Sequence, residues 1–513
     1  MTPSTEQGGL ASRSLQAARL IADPARHDYD ADLFEQLLSD VWSEGTVCAA
    51  TAELATLVTE LLPTVTSAWR PWLVLALGVF TEGQSADPAV TSAIRAAVQA
   101  GYQGYCDLLR DLAPEDGATR AALLYLLSHF PPADGLLEVL ISSPLVSTED
   151  ATRVARCAEE PVDDARFPLG RCWPSPAHWV LGEHELGVDQ EWRANLALSG
   201  QHREEIRELE TKAVLAFLGG QAEHEAHSAD GRVFVVPRMS GPDEIIDDSP
   251  FDADADVFCC PRCSSPLDLT ESARCAGCDE RYEVDGNVVD FLPDAEPRTA
   301  GLGQLFLQDP LHVARYESLR HSSVALMAAN WTGRIDFEDE HEYLSNHVRP
   351  AEGPVLDIAC GTGAWTRPLV DLAGAGRVIG VDISRAMVDR FHAAHPDILI
   401  ARASATALPL QDGSAGAVSS WNALQLFEDP WAALAEMARV LRPGGSLTLL
   451  TFRTAERPLQ RYFQRRHQEA FDVASFDEEV LTAKLAELGV TVIDTWTPNN
   501  YLFVTARRLP LTS

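Results

Sequence analysis

The sequence predicts a multidomain protein: an α-helical N-terminal domain, a small cysteine-rich ribbon and a C-terminal α/β domain built on a parallel sheet. Three observations carry this. Apolar residues recur at three- and four-residue spacing through residues 1–230. Two CxxC pairs lie close together between Cys260 and Cys278. From Pro354 a short apolar strand runs through a glycine-rich turn into a helix, and strands then alternate with helices. The composition shifts place the divisions at 1–235 (helical), 236–257 (acidic linker), 258–293 (ribbon), 294–350 (connecting helices) and 351–513 (α/β core).

Charge is distributed unevenly over these parts. The 513 residues carry 76 acids and 40 bases, a net charge of −36. Residues 351–513 hold 18 acids and 15 bases, leaving 58 and 25, net −33, in residues 1–350. That front half would repel nucleic acid and anionic membranes, whose binding needs basic surface. It favours a neutral, cationic or proteinaceous partner, so nucleic acid is not expected. No apolar run approaches the roughly 18–20 residues of a membrane span. Met1–Leu10 is polar, without a basic segment leading into an apolar one, so the expected location is the cytoplasm.

In the front domain the helical period is clearest in Thr51–Leu62, Ala89–Ala100, Arg120–Leu127 and Gly135–Ile141, with Trp72–Phe80 apolar enough to be a buried helix. Short breaks such as Ala113–Gly117 and Phe130–Asp134 separate them. Such a series fits a bundle or an α-solenoid. Asp111–Pro131 (DLAPEDGATRAALLYLLSHFP) resembles a HEAT repeat, and Gly45–Leu62 resembles the first helix pair of bacterial HEAT-repeat proteins. The resemblance implies a surface for a protein or peptide partner. The following linker, residues 242–257, has seven acids and no base, which makes it self-repelling and extended.

The ribbon contains Cys260-Pro-Arg-Cys263 and, eleven residues on, Cys275-Ala-Gly-Cys278. Each CxxC turn brings two thiolates to one side of a tight loop, and two turns supply the four soft ligands of a tetrahedral, structural zinc site. Cys259 is the spare: the Cys260–Cys263 spacing gives the CPxC turn. With Tyr282–Pro293 (YEVDGNVVDFLP), the stretch resembles the Trm112-like zinc ribbons that stand ahead of some methyltransferase domains. A similar element opens ribosomal-RNA guanine methyltransferases, where it helps to hold RNA.

In the C-terminal part, Val355–Ile358 is a short strand, Gly361 and Gly363 let the chain turn tightly, and Ala364–Leu369 opens a helix. This geometry brings backbone N–H groups and a helix N-terminus to a ligand at the carboxyl edge of a sheet. A P-loop is excluded because no GK[S/T] follows; a dinucleotide fold and an S-adenosylmethionine (SAM) fold remain. A second strand ends in Asp382, placed to accept both ribose hydroxyls.

The ordered set DIACGTG, GVDIS, SATALPL, AVSSWNALQLFEDP and RVLRPGGSLTLLTF, within about residues 351–453, resembles class I SAM-dependent methyltransferases of the ubiquinone/menaquinone-methylase type. The resemblance implies a Rossmann-like core and SAM as cofactor. Asp357 and the turn Ala359, Cys360, Gly361, Gly363 would hold the methionine part, and Asp382 the ribose. Ile383 and Met387 would pack on the adenine, Ser404 and Ala405 would meet its amino group, and Asn422 would face SAM and substrate. Tyr316 and Arg320, four apart in a run resembling the lid helix, would touch the cofactor carboxylate. Three positions depart from the family: Ala359 where Gly is frequent, Ser404 where Asp is usual, and Gln425 where many relatives carry His. No residue stands out as a general base; Tyr316, Glu317, His312 and Glu428 are the candidates. The expected activity is methyl transfer to a small molecule or peptide by in-line displacement. RNA base methylation and a non-catalytic SAM-fold scaffold are the alternatives.

Overall fold

The computed structural model describes residues 7–23, 25–130, part of 140–157, 200–228, 235–239, 257–267, 269, 273–292, 307, 313, 335 and 337–509. The chain divides into two compact units, one of Met1–Arg232 with Ala455–Ala470, the other of Val233–Thr454 with Phe471–Ser513.

The first unit is helical: α1 (Gln7–Ile21), α2 (Ala31–Ser39), a small hairpin of β1 (Trp42–Ser43) and β2 (Thr46–Val47), then α3 (Ala50–Leu61), α4 (Arg70–Glu82), α5 (Pro88–Gln99), α6 (Tyr102–Asp111), α7 (Gly117–Leu127) and α8 (Gly200–His227). Local chemistry starts several of these. The Asp30 side chain accepts the Leu33 N–H at the head of α2, and Asp87 accepts the Ala89 N–H with Pro88 next to it at the head of α5. Helix α4 (RPWLVLALGVFTE) is buried from Pro71 through Glu82. A helix apolar on every side belongs at a centre, and α3, α5, α7 and α8 pack against it. Gly78 makes this possible on one side, since a Cβ there would lie 2.3 Å from the Tyr125 ring of α7. The helical character is as the periodicity implied. A HEAT solenoid is not shown: Gly45–Leu62 forms one hairpin strand and a single helix, not a helix pair. Most of Gly135–Ile141 and of the acidic linker lies outside the described residues.

The second unit carries β3 (Glu283–Asp285), β4 (Val288–Asp290), α9 (Phe337–His347), β5 (Val355–Ile358), α10 (Thr366–Ala373), β6 (Val378–Asp382), α11 (Arg385–Ala394), β7 (Leu399–Arg402), β8 (Ala415–Trp421), α12 (Pro430–Val440) and β9 (Leu441–Phe452). After an excursion through α13 (Pro458–Phe471) it closes with α14 (Glu478–Glu487), β10 (Val490–Trp496) and β11 (Tyr501–Arg508). The sheet has nine strands in the order β10-β11-β9-β8-β5-β6-β7-β4-β3. Strands β9 to β4 in that order run parallel, whereas β11 is antiparallel to both its neighbours and β3 to β4. Strands β5, β6 and β8 are buried at every position, as parallel strands covered on both faces must be. The connections diverge between β5 and β8, so a crevice opens at their carboxyl ends.

The ribbon is an extension of this sheet. Strand β4 pairs with β7 (Val288 with Ile400, Asp290 with Arg402), the Cys259 N–H donates to the Pro409 carbonyl (3.0 Å), and the Gln411 N–H donates to the Val257 carbonyl (2.8 Å). Phe258, Val289 and Phe291 belong to the same apolar core as Leu356 and Ile379.

Helix α13 lies between β9 and α14 in sequence, yet residues 455–470 belong to the first unit. Phe463 meets the Tyr125 ring edge-on (5.3 Å) and Tyr462 meets Trp42 (5.2 Å). Arg457 makes two bonds to the buried Glu223 (2.7 and 3.0 Å). Glu82, at the end of α4, accepts from Tyr125 (2.8 Å) and Tyr462 (2.9 Å) and pairs with His129 (2.9 Å) and Arg466 (2.6 Å). Burial alone would raise this carboxyl; the His129 hydrogen bond and the Arg466 charge more than offset it and hold it at about 2.

Candidate functional site

The glycine-rich turn is fixed from both sides. After β5, the Ala359 and Cys360 N–H groups both donate to the Val381 carbonyl of β6 (2.7 and 3.1 Å). The Gly361 N–H donates to one oxygen of Asp382 (2.9 Å), and the Ser384 N–H donates to the other (2.9 Å). The Asp382 carboxylate is therefore anchored by two backbone donors at the end of β6. Gly363 (φ 91°) cannot carry a side chain: a Cβ would stand 2.5 Å from the His395 ring. Ala359 adopts φ 59° and Asn422 φ 53°, left-handed conformations that cost a non-glycine residue free energy.

Two adjoining cavities open beside this turn. The larger, about 710 Å³, is lined by Val381, Asp382, Ile383, Ala403–Thr406, Leu426–Asp429 and Ala432, with Ala359 at its rim. The smaller, about 100 Å³, is lined by Leu307, the turn residues Ala359–Thr362, Ala364, Trp365, Ile383, Ser384, Met387, Trp421–Ala423, Leu426 and Phe427, and shares Asp382. Their combined size suits a small-molecule ligand. Among the described lining residues there is no Lys or Arg, and Glu428 and Asp429 border the larger cavity.

The predicted residues fall into three groups. Ala359, Cys360, Gly361, Asp382, Ile383, Met387 and Asn422 line the smaller cavity, and Ser404, Ala405 and Glu428 line the larger. Asp357 and Gly363 line neither. Gly363 sits behind the turn against Phe391 and His395. Asp357 lies beneath the turn, accepting the Thr366 hydroxyl at 2.5 Å. Burial, with the Asp382 charge adding to it, pushes the Asp357 carboxyl up to about 7. His312, Tyr316, Glu317 and Arg320 lie outside the described residues. Sequence reasoning did not single out Thr362, Trp365, Trp421, Leu426 or Phe427. The last three fall inside the AVSSWNALQLFEDP stretch, where a short 3₁₀ turn (Leu424–Leu426) bends the chain over the cavity.

The residues fit a purine nucleoside. The Asp382 oxygens keep lone pairs for a vicinal diol, and Ile383, Met387, Ala403 and Ala405 offer apolar walls for a purine. Among the described residues the buried Thr362 hydroxyl has no partner in the protein, as expected of a group kept for a ligand.

Apart from this crevice, Cys260, Cys263, Cys275 and Cys278 bring their sulfurs within 4.8 Å of one another. Two equivalent turns position them. The Cys260 N–H donates to the Ser265 carbonyl (2.9 Å) and the Cys275 N–H to that of Glu280 (2.8 Å). The Cys260 carbonyl in turn accepts from Ser264 (2.8 Å) and the Cys275 carbonyl from Asp279 (2.9 Å). Ser264 and Asp279 both take positive φ, 59° and 63°. Cys259 stands outside the cluster.

Residues 355–445 match the family model described as a methyltransferase domain. An uncharacterised chloroplastic methyltransferase of Arabidopsis thaliana is 26% identical over 46% of this chain and 70% of its own length. A demethylmenaquinone methyltransferase of Renibacterium salmoninarum is 42% identical over 19% of this chain and 40% of its own. A ubiquinone/menaquinone biosynthesis C-methyltransferase of Hahella chejuensis is 37% identical over 26% of this chain and 54% of its own. The chain thus spans about half the length of the two bacterial relatives. The strand order and the anchored glycine-rich turn agree with the family match: residues 355–445 carry a methyltransferase domain, within a sheet of the class I SAM-methyltransferase fold.

Proposed function

We propose that the protein methylates a small molecule or peptide, with SAM held in the crevice by the Ala359–Gly361 turn, Asp382, Ile383, Met387, Ser404 and Ala405. The observation that supports the substrate class is the lining of the two cavities: among the described residues it consists of aromatic and aliphatic side chains with Asp382, Glu428 and Asp429, and none that is basic. An RNA backbone would need the opposite sign. SAM supplies an electrophilic methyl group on sulfur. The protein's part is to hold that group in line with a nucleophile and keep water away, and such orientation is worth roughly 7–11 kcal/mol. Trp365, Trp421, Leu426 and Phe427 give the dry wall; Glu428 is the titratable side chain on the cavity rim nearest to base duty.

The four clustered cysteines would hold a structural zinc ion. Four sulfurs complete a tetrahedral shell, leaving no position for a reacting water. The helical unit, with its acidic surface, would dock a partner or the substrate. The test is methyl transfer from labelled SAM to small-molecule, peptide and RNA fractions of a cell extract. Label in the small-molecule or peptide fraction is expected; label confined to RNA would reverse the assignment.

A further inference from the structure

One buried group beside the crevice has every hydrogen-bonding end engaged and does not touch the cavity. Gln425, 2% exposed, donates from Nε2 to the Asn422 Oδ1 (2.8 Å) and accepts at Oε1 from the Thr451 hydroxyl (3.0 Å). Its carbonyl accepts the Ala474 N–H (2.9 Å). Asn422, held at φ 53° with its own N–H on the Leu450 carbonyl (2.9 Å), does line the cavity. Its Oδ1 is taken by Gln425, and its Nδ2 has no protein partner among the described residues and is not sealed from solvent. Turning both amides over would set Gln425 Nε2 against the buried Thr451 hydroxyl and leave that hydroxyl's proton without an acceptor. The observed sense is therefore the satisfied one, and it leaves two N–H donors, with no protein acceptor among the described residues, on a residue that lines the cavity.

We infer that Gln425 is a positioning residue that clamps Asn422 with its amide N–H groups toward the cavity, and that the methyl acceptor carries a hydrogen-bond-accepting oxygen next to its nucleophilic atom. This rests on the methyltransferase reading above. A strained, clamped donor holds such an oxygen, and the nucleophilic atom beside it, in one orientation before the methyl moves, because a preset donor needs no reorganisation at that moment. It also gives the glutamine a task where a histidine base would otherwise stand, one that involves no proton transfer. An ionised nucleophile or a neutral amine beside a carbonyl fits; an isolated alcohol does not.

The test compares wild type, Gln425→Leu and Gln425→Glu. Selective ¹⁵N-asparagine labelling follows the Asn422 side-chain amide, assigned by its loss in Asn422→Ala. Calorimetry measures S-adenosylhomocysteine affinity, and labelled SAM measures transfer to the small-molecule fraction of an extract. For Gln425→Leu the amide signals shift or broaden and transfer falls about tenfold or more, while S-adenosylhomocysteine affinity stays within about threefold. The carboxyl group that Gln425→Glu introduces can only accept when ionised, so it turns the Asn422 amide over; when protonated it donates and restores the amide. In Gln425→Glu both the amide signals and transfer therefore recover as pH falls, a response a merely structural role does not give. Unchanged amide signals in both variants overturn the clamp, as does equal loss of affinity and transfer without pH response. A methylated product lacking an oxygen beside the methylated atom overturns the substrate half. Failure of wild type to bind S-adenosylhomocysteine sinks the methyltransferase reading instead, while the amide signals still report on the clamp.

Discussion

Two aspartates 25 residues apart in sequence do different work beside one turn. Asp382 faces the cavity and is fixed by backbone donors; Asp357 is sealed beneath it on the Thr366 hydroxyl. Asp382 ends one apolar strand and Asp357 is the last residue but one of another, which made both legible in the sequence. Which of them looks into the cavity was not, because that depends on where the Thr366 hydroxyl comes to rest. The sealed position has a measurable cost. With its carboxyl pushed up to about 7, folded Asp357 keeps a proton that the unfolded chain releases near pH 4. The native state binds more protons in that window, so this residue's contribution to stability is full below pH 4 and is lost as pH rises through 7. Asp357→Asn, neutral throughout, should melt at the same temperature as wild type near pH 4. It should melt a few °C higher at pH 8, by thermal unfolding at both values. A difference of the opposite sign at pH 8 would show the carboxylate to be stabilised in the native state.

At the scale of elements, the strand–turn–helix around Gly361 and Gly363 was readable because it is written in contiguous residues. Two features were not. The ribbon was read as a separate small domain, yet β4 completes its hydrogen bonds on β7, a pairing of residues about 110 apart that no local pattern encodes. Helix α13 follows β9 in the sequence of the catalytic core, yet its buried partners Glu82 and Glu223 come from helices hundreds of residues earlier. Both give predictions. Chelation, or Cys260→Ala, should raise amide hydrogen exchange through residues 257–292 and along β7, leaving β5, β8 and β9 protected. Uniform protection after metal removal would detach the cysteine cluster from the ribbon's stability. Glu82→Ala strips Arg466, Tyr125, Tyr462 and His129 of their common acceptor and leaves a partly buried cation. It should cost about 3–5 kcal/mol in denaturant unfolding of the helical unit. A cost below about 1 kcal/mol would show that water replaces the carboxylate.

Across the whole molecule, the charge divides as the domains do. The core is nearly balanced and residues 1–350, the helical front above all, carry the excess of −33. Among the described residues that line the crevice none is basic. Among the described residues no helix is long and apolar enough to cross a membrane. The central claim is that the crevice between the carboxyl ends of β5, β6 and β8 holds SAM through Asp382. Its most direct test is calorimetric titration of the full chain with S-adenosylhomocysteine, in wild type and in Asp382→Ala. The account predicts one site per chain in wild type and a loss of about 10- to 100-fold in affinity in the variant, the worth of hydrogen bonds to a charged group. No binding by folded wild type, or equal binding by both proteins, would contradict it.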